Sequence, residues 1–305
     1  MNTFDEATRL AQLRHAARAS KNWQEADRLR DEVSTLGYKV LDTPVGFTLE
    51  AEIYSSLPAI SDIQPDSIAF DNQDTVVCLV IEGWLEDTLD AISRILLHTT
   101  RPVAVLDLSN DEVIHQALYE LQKLHAERLH IIIVRQAFSE VGWAESFNRL
   151  VKAVNAENVV IMDISTLLDG DAIELLLTHL QGNIAAVGWK GANVAADWMS
   201  FEAATESVDA LLSYLFVVKR QIFLNHPFDP KAKFYRNADL EWSLEMKSAG
   251  YELVAVSEDL PCRQGRHHGY HDSDEQYRQR ESKRNYDRLL SKFRGKYEIS
   301  PKPAS

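Results

Sequence analysis

From residue 74 onward, short apolar runs alternate with longer amphipathic stretches, and this alternation limits the folds open to the chain. The runs 75–81 (TVVCLVI), 103–106, 131–134 and 159–162 are short, continuous and rich in β-branched residues, which predicts strands buried on both faces. Between them, 85–97, 112–124, 144–154 and 172–180 repeat apolar residues at helical spacing. Strands separated by helices of this length imply an α/β fold with a mainly parallel sheet and right-handed crossovers. Such sheets bind ligands at the carboxyl edge of their strands. The run Val159-Val160-Ile161-Met162 delivers Asp163 to that edge. Asp163 reads equally as a ligand-facing carboxylate or as a solvated turn residue before the helix that starts near Asp169.

Ahead of this domain, residues 5–19 and 23–36 each carry an amphipathic stripe, the second through Trp23, Ala26, Leu29, Val33 and Leu36. Gly37 supplies a stop. Two such helices with a short joint form an antiparallel hairpin, with Trp23 as a core anchor. Residues 49–73 hold Pro58 and Pro65 without a sustained period and read as a linker. The expected organisation is a helical hairpin (1–48), a linker (49–73), a main domain (74–295) and a tail (296–305). Residues 272–294 form a charged amphipathic helix within the main domain.

The 305-residue chain has a net charge of −14, which argues against a nucleic-acid surface as its main business. No apolar run is long enough to span a bilayer, and the first residues have no apolar core of a signal peptide. The two cysteines, Cys78 and Cys262, lie far apart without metal spacing. Cys78 sits in an apolar run and reads as a buried core thiol. A cytoplasmic location follows as the expectation. Glu82-Gly83-Trp84 after the first strand of the main domain has one glycine only, so dinucleotide and P-loop readings fail.

Two resemblances add to this. Residues 17–32 (ARASKNWQEADRLRDE), with Gly37 and Leu41-Asp42-Thr43-Pro44-Val45-Gly46, resemble the carboxyl-terminal helical segment of cysteinyl-tRNA synthetases. The HIGH and KMSKS motifs and a zinc-ligand set are absent, so the hairpin reads as a packing, protein-partner or self-association module rather than part of a synthetase. An RNA contact through the hairpin is the third-ranked reading of the chain, disfavoured by its charge.

Residues 74–295 resemble a family-2 glycosyltransferase with the GT-A fold. Val105-Leu106-Asp107-Leu108-Ser109-Asn110-Asp111 is similar to that family's second-strand turn. Gln136 to Asn148, with Gly142 and Asn148 in register, is similar to its NxGfaxaxN segment. Val160-Ile161-Met162-Asp163-Ile164-Ser165 stands at the DxD motif. Phe234 to Leu244, with Ala249-Gly250-Tyr251, resembles the ED-containing segment, Ala238 replacing its glutamate.

The resemblance implies a nucleotide-diphosphate-sugar donor and an unidentified hydroxyl acceptor. Asp107 and Glu82 would lie at the base and ribose, with Asn148, Asp163 and Ser165 also on the donor. A divalent cation (Mg or Mn) would be held by Asp163, with His267, or else His268, as the metal or diphosphate contact. Asp239 would be the general base of an inverting transfer; it reads equally as a cap of the following helix. Ser165, in place of the second carboxylate, weakens the metal site, calls for a substitute, or marks an inactive binding or scaffold protein. Arg263 and Arg266 could neutralise the diphosphate directly; alternatively, residues 263–271 form a solvated polar loop.

Overall fold

The computed structural model describes residues 3–36, 38–43, 46–51, 56–256 and 259–298. Gly37, expected as a helix stop, Pro44 and Val45, and the tail from residue 299 lie outside the described residues. Two compact units divide the chain, Met1–Ser55 and Ser56–Ser305.

In the first unit, helices Thr3–Ala19 and Trp23–Thr35 pack through Ala7, Leu10, Ala11, Ala26, Leu29 and Val33. Strands Tyr38–Thr43 and Gly46–Ala51 pair antiparallel behind them. Arg14, itself buried, closes the unit through two hydrogen bonds to Asp42 at 2.8 and 3.1 Å. Trp23 is not the expected anchor. It opens its helix with 56% of its surface exposed, and the Arg18 guanidinium lies 5.6 Å from its ring. The buried stripe starts one turn later, at Ala26.

The second unit is built on a sheet that has, among the described residues, nine strands. In chain order these are β1 (Ser56–Leu57), β2 (Thr75–Ile81), β3 (Val103–Asp107), β4 (Leu129–Val134), β5 (Asn158–Met162), β6 (Ile184–Gly188), β7 (Glu206–Ser207), β8 (Leu215–Lys219) and β9 (Glu252–Ala255). Their spatial order is β7-β9-β6-β8-β5-β2-β3-β4-β1. The stretch expected as a linker is therefore divided. Residues 46–51 belong to the first unit, whereas β1 joins the main sheet and Ile68–Ala69 pairs with Val154–Asn155.

The half of the sheet from β5 through β2, β3 and β4 to β1 is parallel, as the apolar runs predicted. Helices α1 (Leu85–His98), α2 (Glu112–Leu124) and α3 (Trp143–Ala153) make the crossovers. Two apolar layers cover the two faces. One gathers Val76, Cys78, Ala104, Phe147 and Phe216; the other gathers Val77, Leu79, Val105, Ile92 and Met162. Cys78 is fully buried, and burial pushes its thiol up to about 12.

The other half is mixed: β6 and β9 pair parallel, and one strand between β5 and β6 reverses. β8 runs antiparallel to both β5 and β6. The cause is topological. After β6 the chain builds a small antiparallel sheet from Gly191–Val194, Phe201–Ala204 and Ala210–Leu211, and so re-enters the main sheet from its carboxyl edge. Helices α4 (Ala172–His179), α5 (Ala238–Ser248) and α6 (Glu275–Phe293) complete the unit. α6 is tied to α5 by a buried charge cluster: Glu241, 3% exposed, accepts from Arg288 at 2.8 Å and pairs with Lys292 at 2.7 Å.

Candidate active site

Neighbouring parallel strands end together, so their next residues share one rim. β2 ends at Ile81, opposite Asp107 of β3, and Glu82 follows it. β5, on the other side of β2, ends at Met162, and Asp163 follows. The reversed β8 begins on this same rim, where the Asp163 amide donates to the Tyr214 carbonyl at 3.0 Å. The strand reversal thus brings Ser213 and Tyr214 to the side of Asp163.

The turn after Asp163 is tightly organised. Asp163 Oδ1 accepts from the Ser165 amide at 2.8 Å and from the Ser165 hydroxyl. The chain continues as Thr166–Leu168, which pairs antiparallel with Cys262–Gln264. That pairing carries residues 265–268 to the acid, and the Gly265 amide donates to the Ser165 carbonyl at 2.6 Å. His267, 7% exposed, then lies with Nε2 4.0 Å from Asp163 Oδ2. Its ring stacks on Tyr235 at 4.5 Å and meets Tyr214 edge-on at 5.7 Å.

A cavity of about 720 Å³ opens beside this turn, lined by Ser213, Tyr214, Tyr235, Asp239, His267 and Tyr270 among others. Asp239 reaches it from the first turn of α5, where Asn237 holds the N-cap position without a side-chain bond to the helix. Its carboxylate is 6% exposed. Oδ2 accepts from the Ser213 amide at 3.0 Å and the Ser213 hydroxyl at 3.2 Å, and Oδ1 from the Leu240 amide at 2.9 Å. Burial pushes the carboxyl up to about 6, and the Ser213 and Leu240 hydrogen bonds keep it from rising further. A buried carboxylate poised there suits proton abstraction near neutrality. Burial also pushes Glu82 up to about 8, with the charge of Asp163 adding to the effect.

Among the expected site residues, Glu82, Asp163, Ser165, His267 and Asp239 therefore gather around one rim and cavity. The others are placed differently. Asp107 is fully buried: Oδ1 accepts from the Ser109 amide at 2.9 Å and Oδ2 lies 3.5 Å from His115 Nε2. Burial raises its pKa against those contacts, and its carboxylate braces the loop that follows β3 instead of facing the cavity. Asn148 is a backbone clamp. It donates to the Phe228 carbonyl at 2.9 Å and accepts from the Phe228 amide at 3.0 Å, which uses both ends of its amide.

Arg263 and Arg266, expected to neutralise phosphate, are themselves neutralised. Arg263 pairs with Asp169 at 3.2 Å and Arg266 with Asp272, and both are about half exposed. His268 lies between Asp87 at 3.0 Å and Asp272 at 2.6 Å and stacks on Trp84 at 4.8 Å. Trp84 itself holds φ 59°, a left-handed backbone costly for a bulky residue, directly after Glu82-Gly83.

Among the described residues no group of three or more histidine, cysteine or acidic side chains could hold a metal. His267 Nε2 faces Asp163 Oδ2 across 4.0 Å, too far for a hydrogen bond, and His267 Nδ1 is a buried nitrogen with no hydrogen-bond partner among the described residues. A hard cation held by one or two side chains takes its remaining ligands from phosphate and water.

The molecule shares its fold with GT-A-type nucleotide-sugar transferases. It is similar to GalNAc-T7, solved with UDP, GalNAc and Mn2+, with a TM-score of 0.57, 17% identity, and coverage of 72% of this chain and 48% of that one. It is also similar to the mannosyltransferase PcManGT of Pyrobaculum calidifontis, solved with GDP-Man and Mn2+. There the TM-score is 0.53 and the identity 17%, over 69% of this chain and 62% of that one. At such identity the likeness is one of fold. No family model matches the chain.

Among curated proteins, the cysteine–tRNA ligase of Caldicellulosiruptor saccharolyticus is 53% identical over 45 residues, 15% of this chain and 10% of the ligase. That of Chlamydia trachomatis is 46% identical over 46 residues, 15% of this chain and 10% of the ligase. The chain thus spans about a tenth of the length of the ligases it matches, and about half to three-fifths of the solved transferases.

Proposed function

We propose that this chain is a family-2-type glycosyltransferase that moves a sugar from a nucleotide-diphosphate donor to a hydroxyl acceptor with inversion. One observation carries the reading: Asp239 and His267, far apart in sequence, line one cavity, and His267 faces Asp163 across 4.0 Å while its ring stacks on half-buried Tyr235.

The chemistry follows from that arrangement. An acceptor hydroxyl in the cavity loses its proton to Asp239 as its oxygen bonds to the anomeric carbon and the bond to the diphosphate oxygen breaks. A single direct displacement inverts the anomeric centre. Asp239 is ionised above about pH 6, so it can take the proton at neutral pH. Ser213 holds the carboxylate in place, and the aromatic rings of Tyr214, Tyr235 and Tyr270 line the cavity, where they would offer faces to a sugar. Asp163 and His267 would hold a divalent cation, which when bound supplies charge neutralisation to the leaving diphosphate. Glu82 and the loop braced by Asp107 would line the nucleotide side.

A second reading, a binding or scaffold protein that keeps the fold, is favoured by Ser165, whose hydroxyl is turned onto Asp163. The first unit, with its exposed Trp23, would serve as a protein-contact or self-association module in either case. A cytoplasmic setting accords with the free thiols of Cys78 and Cys262. Among the described residues no helix is long and apolar enough to cross a membrane.

The test is release of nucleoside diphosphate from UDP-, GDP- and dTDP-sugars, with and without Mn2+. One donor is turned over by the native chain. Asp239→Asn keeps that donor's thermal stabilisation and loses roughly 10²–10⁴-fold in release. No stabilisation and no release with any donor would end the nucleotide-sugar reading; stabilisation without release favours the scaffold.

A further inference from the structure

A leaving diphosphate calls for positive charge, which the Asp163 carboxylate does not itself supply, and Arg263 and Arg266 are already paired with aspartates. The rim holds another cation. Lys190 follows β6 in the turn that leads into the small sheet, and its partners among the described residues are neutral. Its Nζ donates to Gln264 Oε1 at 3.1 Å. It lies 4.2 Å from the Trp189 ring centroid and 4.8 Å from that of Tyr214. The backbone is fixed on both sides: Trp189 donates to the Leu215 carbonyl and Leu212 to the Lys190 carbonyl, each at 2.9 Å.

These contacts tie Lys190 to the Asp163 turn by two routes. Gln264, which holds the ammonium, is opposite Thr166, three residues after Asp163. Tyr214, whose ring faces the ammonium, accepts the Asp163 amide through its carbonyl and meets His267 with its ring. Gln264, Tyr214 and His267 all line the cavity. A cation held by two ring faces and an amide oxygen is positioned without being neutralised, and so remains available to an anion.

Resting on the nucleotide-sugar reading above, we infer that Lys190 is a protein cation that meets the donor's diphosphate, sharing charge neutralisation with any divalent cation held at Asp163 and His267, where Ser165 replaces a second carboxylate. As a point charge on a long stem it follows the phosphate as the bond to the sugar breaks.

Lys190→Met tests this, since methionine keeps the apolar stem between the two rings without the charge. Binding of UDP, GDP and dTDP, of the matching nucleosides, and of inorganic pyrophosphate is measured by calorimetry in EDTA. The expected result is about a tenfold loss for the nucleoside diphosphate that the native chain binds and for pyrophosphate. The matching nucleoside is unaffected, the melting temperature is unchanged, and Lys190→Arg recovers most of the loss. Unchanged diphosphate binding in Lys190→Met overturns the assignment while leaving the transferase reading intact. A loss that appears instead in an Arg263→Ala/Arg266→Ala double variant overturns it equally. A native chain that binds none of the nucleoside diphosphates overturns the transferase reading itself, and the role of Lys190 with it.

Discussion

Replacing Ser213 with alanine isolates the proposed base without touching it. Asp239 has three donors, the Ser213 amide at 3.0 Å, the Ser213 hydroxyl at 3.2 Å and the Leu240 amide at 2.9 Å, working against the burial that sets it at about 6. Ser213→Ala removes only the hydroxyl. A hydrogen bond to a charged acceptor contributes about 1.5 kcal/mol, the low end suiting this long contact. At 1.36 kcal/mol per pH unit, the carboxyl moves up by about one unit. At pH 6 the ionised fraction falls from about a half to about a tenth, so release of nucleoside diphosphate drops about fivefold there and hardly changes at pH 8.5. The assay is release between pH 5 and 9, with carboxyl ¹³C NMR titration in parallel and Asp239→Asn identifying the resonance.

Stability gives an independent check on the same group. The folded carboxyl stands above its unfolded value, so its contribution is complete below about pH 4 and is lost as pH rises through about 6. That loss amounts to about 3 kcal/mol at most, read from urea midpoints of native and Asp239→Asn proteins. An acid limb at the same pH in native and Ser213→Ala proteins, or an Asp239 resonance titrating near pH 4, would refute the reasoning.

Three further outcomes are expected. Arg288→Ala leaves the buried Glu241 carboxylate with Lys292 as its remaining cation, so urea unfolding at pH 7 should show a loss of about 3 kcal/mol; a loss under about 1 kcal/mol would contradict the role given to the cluster. Gly142→Ala strains a backbone at φ 84° and brings a methyl within 2.4 Å of Lys233 Cδ and 2.9 Å of its Cα, so stability should fall by about 2 kcal/mol, and an unchanged melting temperature would refute the contact. His267→Ala removes one of the two side chains proposed to hold a divalent cation, so the Mn2+ needed to enhance nucleoside-diphosphate binding should rise at least about tenfold, with metal-free binding retained; an unchanged Mn2+ requirement would take His267 out of the proposed metal site.

Much of the parallel half of the sheet was legible because strands buried on both faces leave continuous apolar runs: Thr75–Ile81 is fully apolar or β-branched and is a strand over that span. Direction was not legible. Leu215–Lys219 has the same composition whether it runs parallel or antiparallel, and its reversal depends on the small sheet that precedes it. The strands Tyr38–Thr43 and Gly46–Ala51 escaped notice because they are short, partly polar, and stabilised by packing on the helices before them.

The site divides in the same way. Asp163 could be picked out because an apolar run meets a turn there, whereas Asp239 stood out only through the resemblance of Phe234 to Leu244 to a glycosyltransferase segment. The pairing of Arg263 with Asp169 could not, since it arises only when Cys262–Gln264 docks on Thr166–Leu168. Ser213, Tyr214 and Lys190 carried no local signal, and their importance comes from the reversal of β8.

The most direct measurement is a crystal structure with the nucleoside diphosphate that most stabilises the chain. The account predicts the diphosphate beside Asp163 and His267, within reach of Lys190, with the Asp239 cavity open next to it. Ligand density at the opposite edge of the sheet, for instance against Arg101 and Asn155 where a second cavity of about 590 Å³ lies, would contradict it.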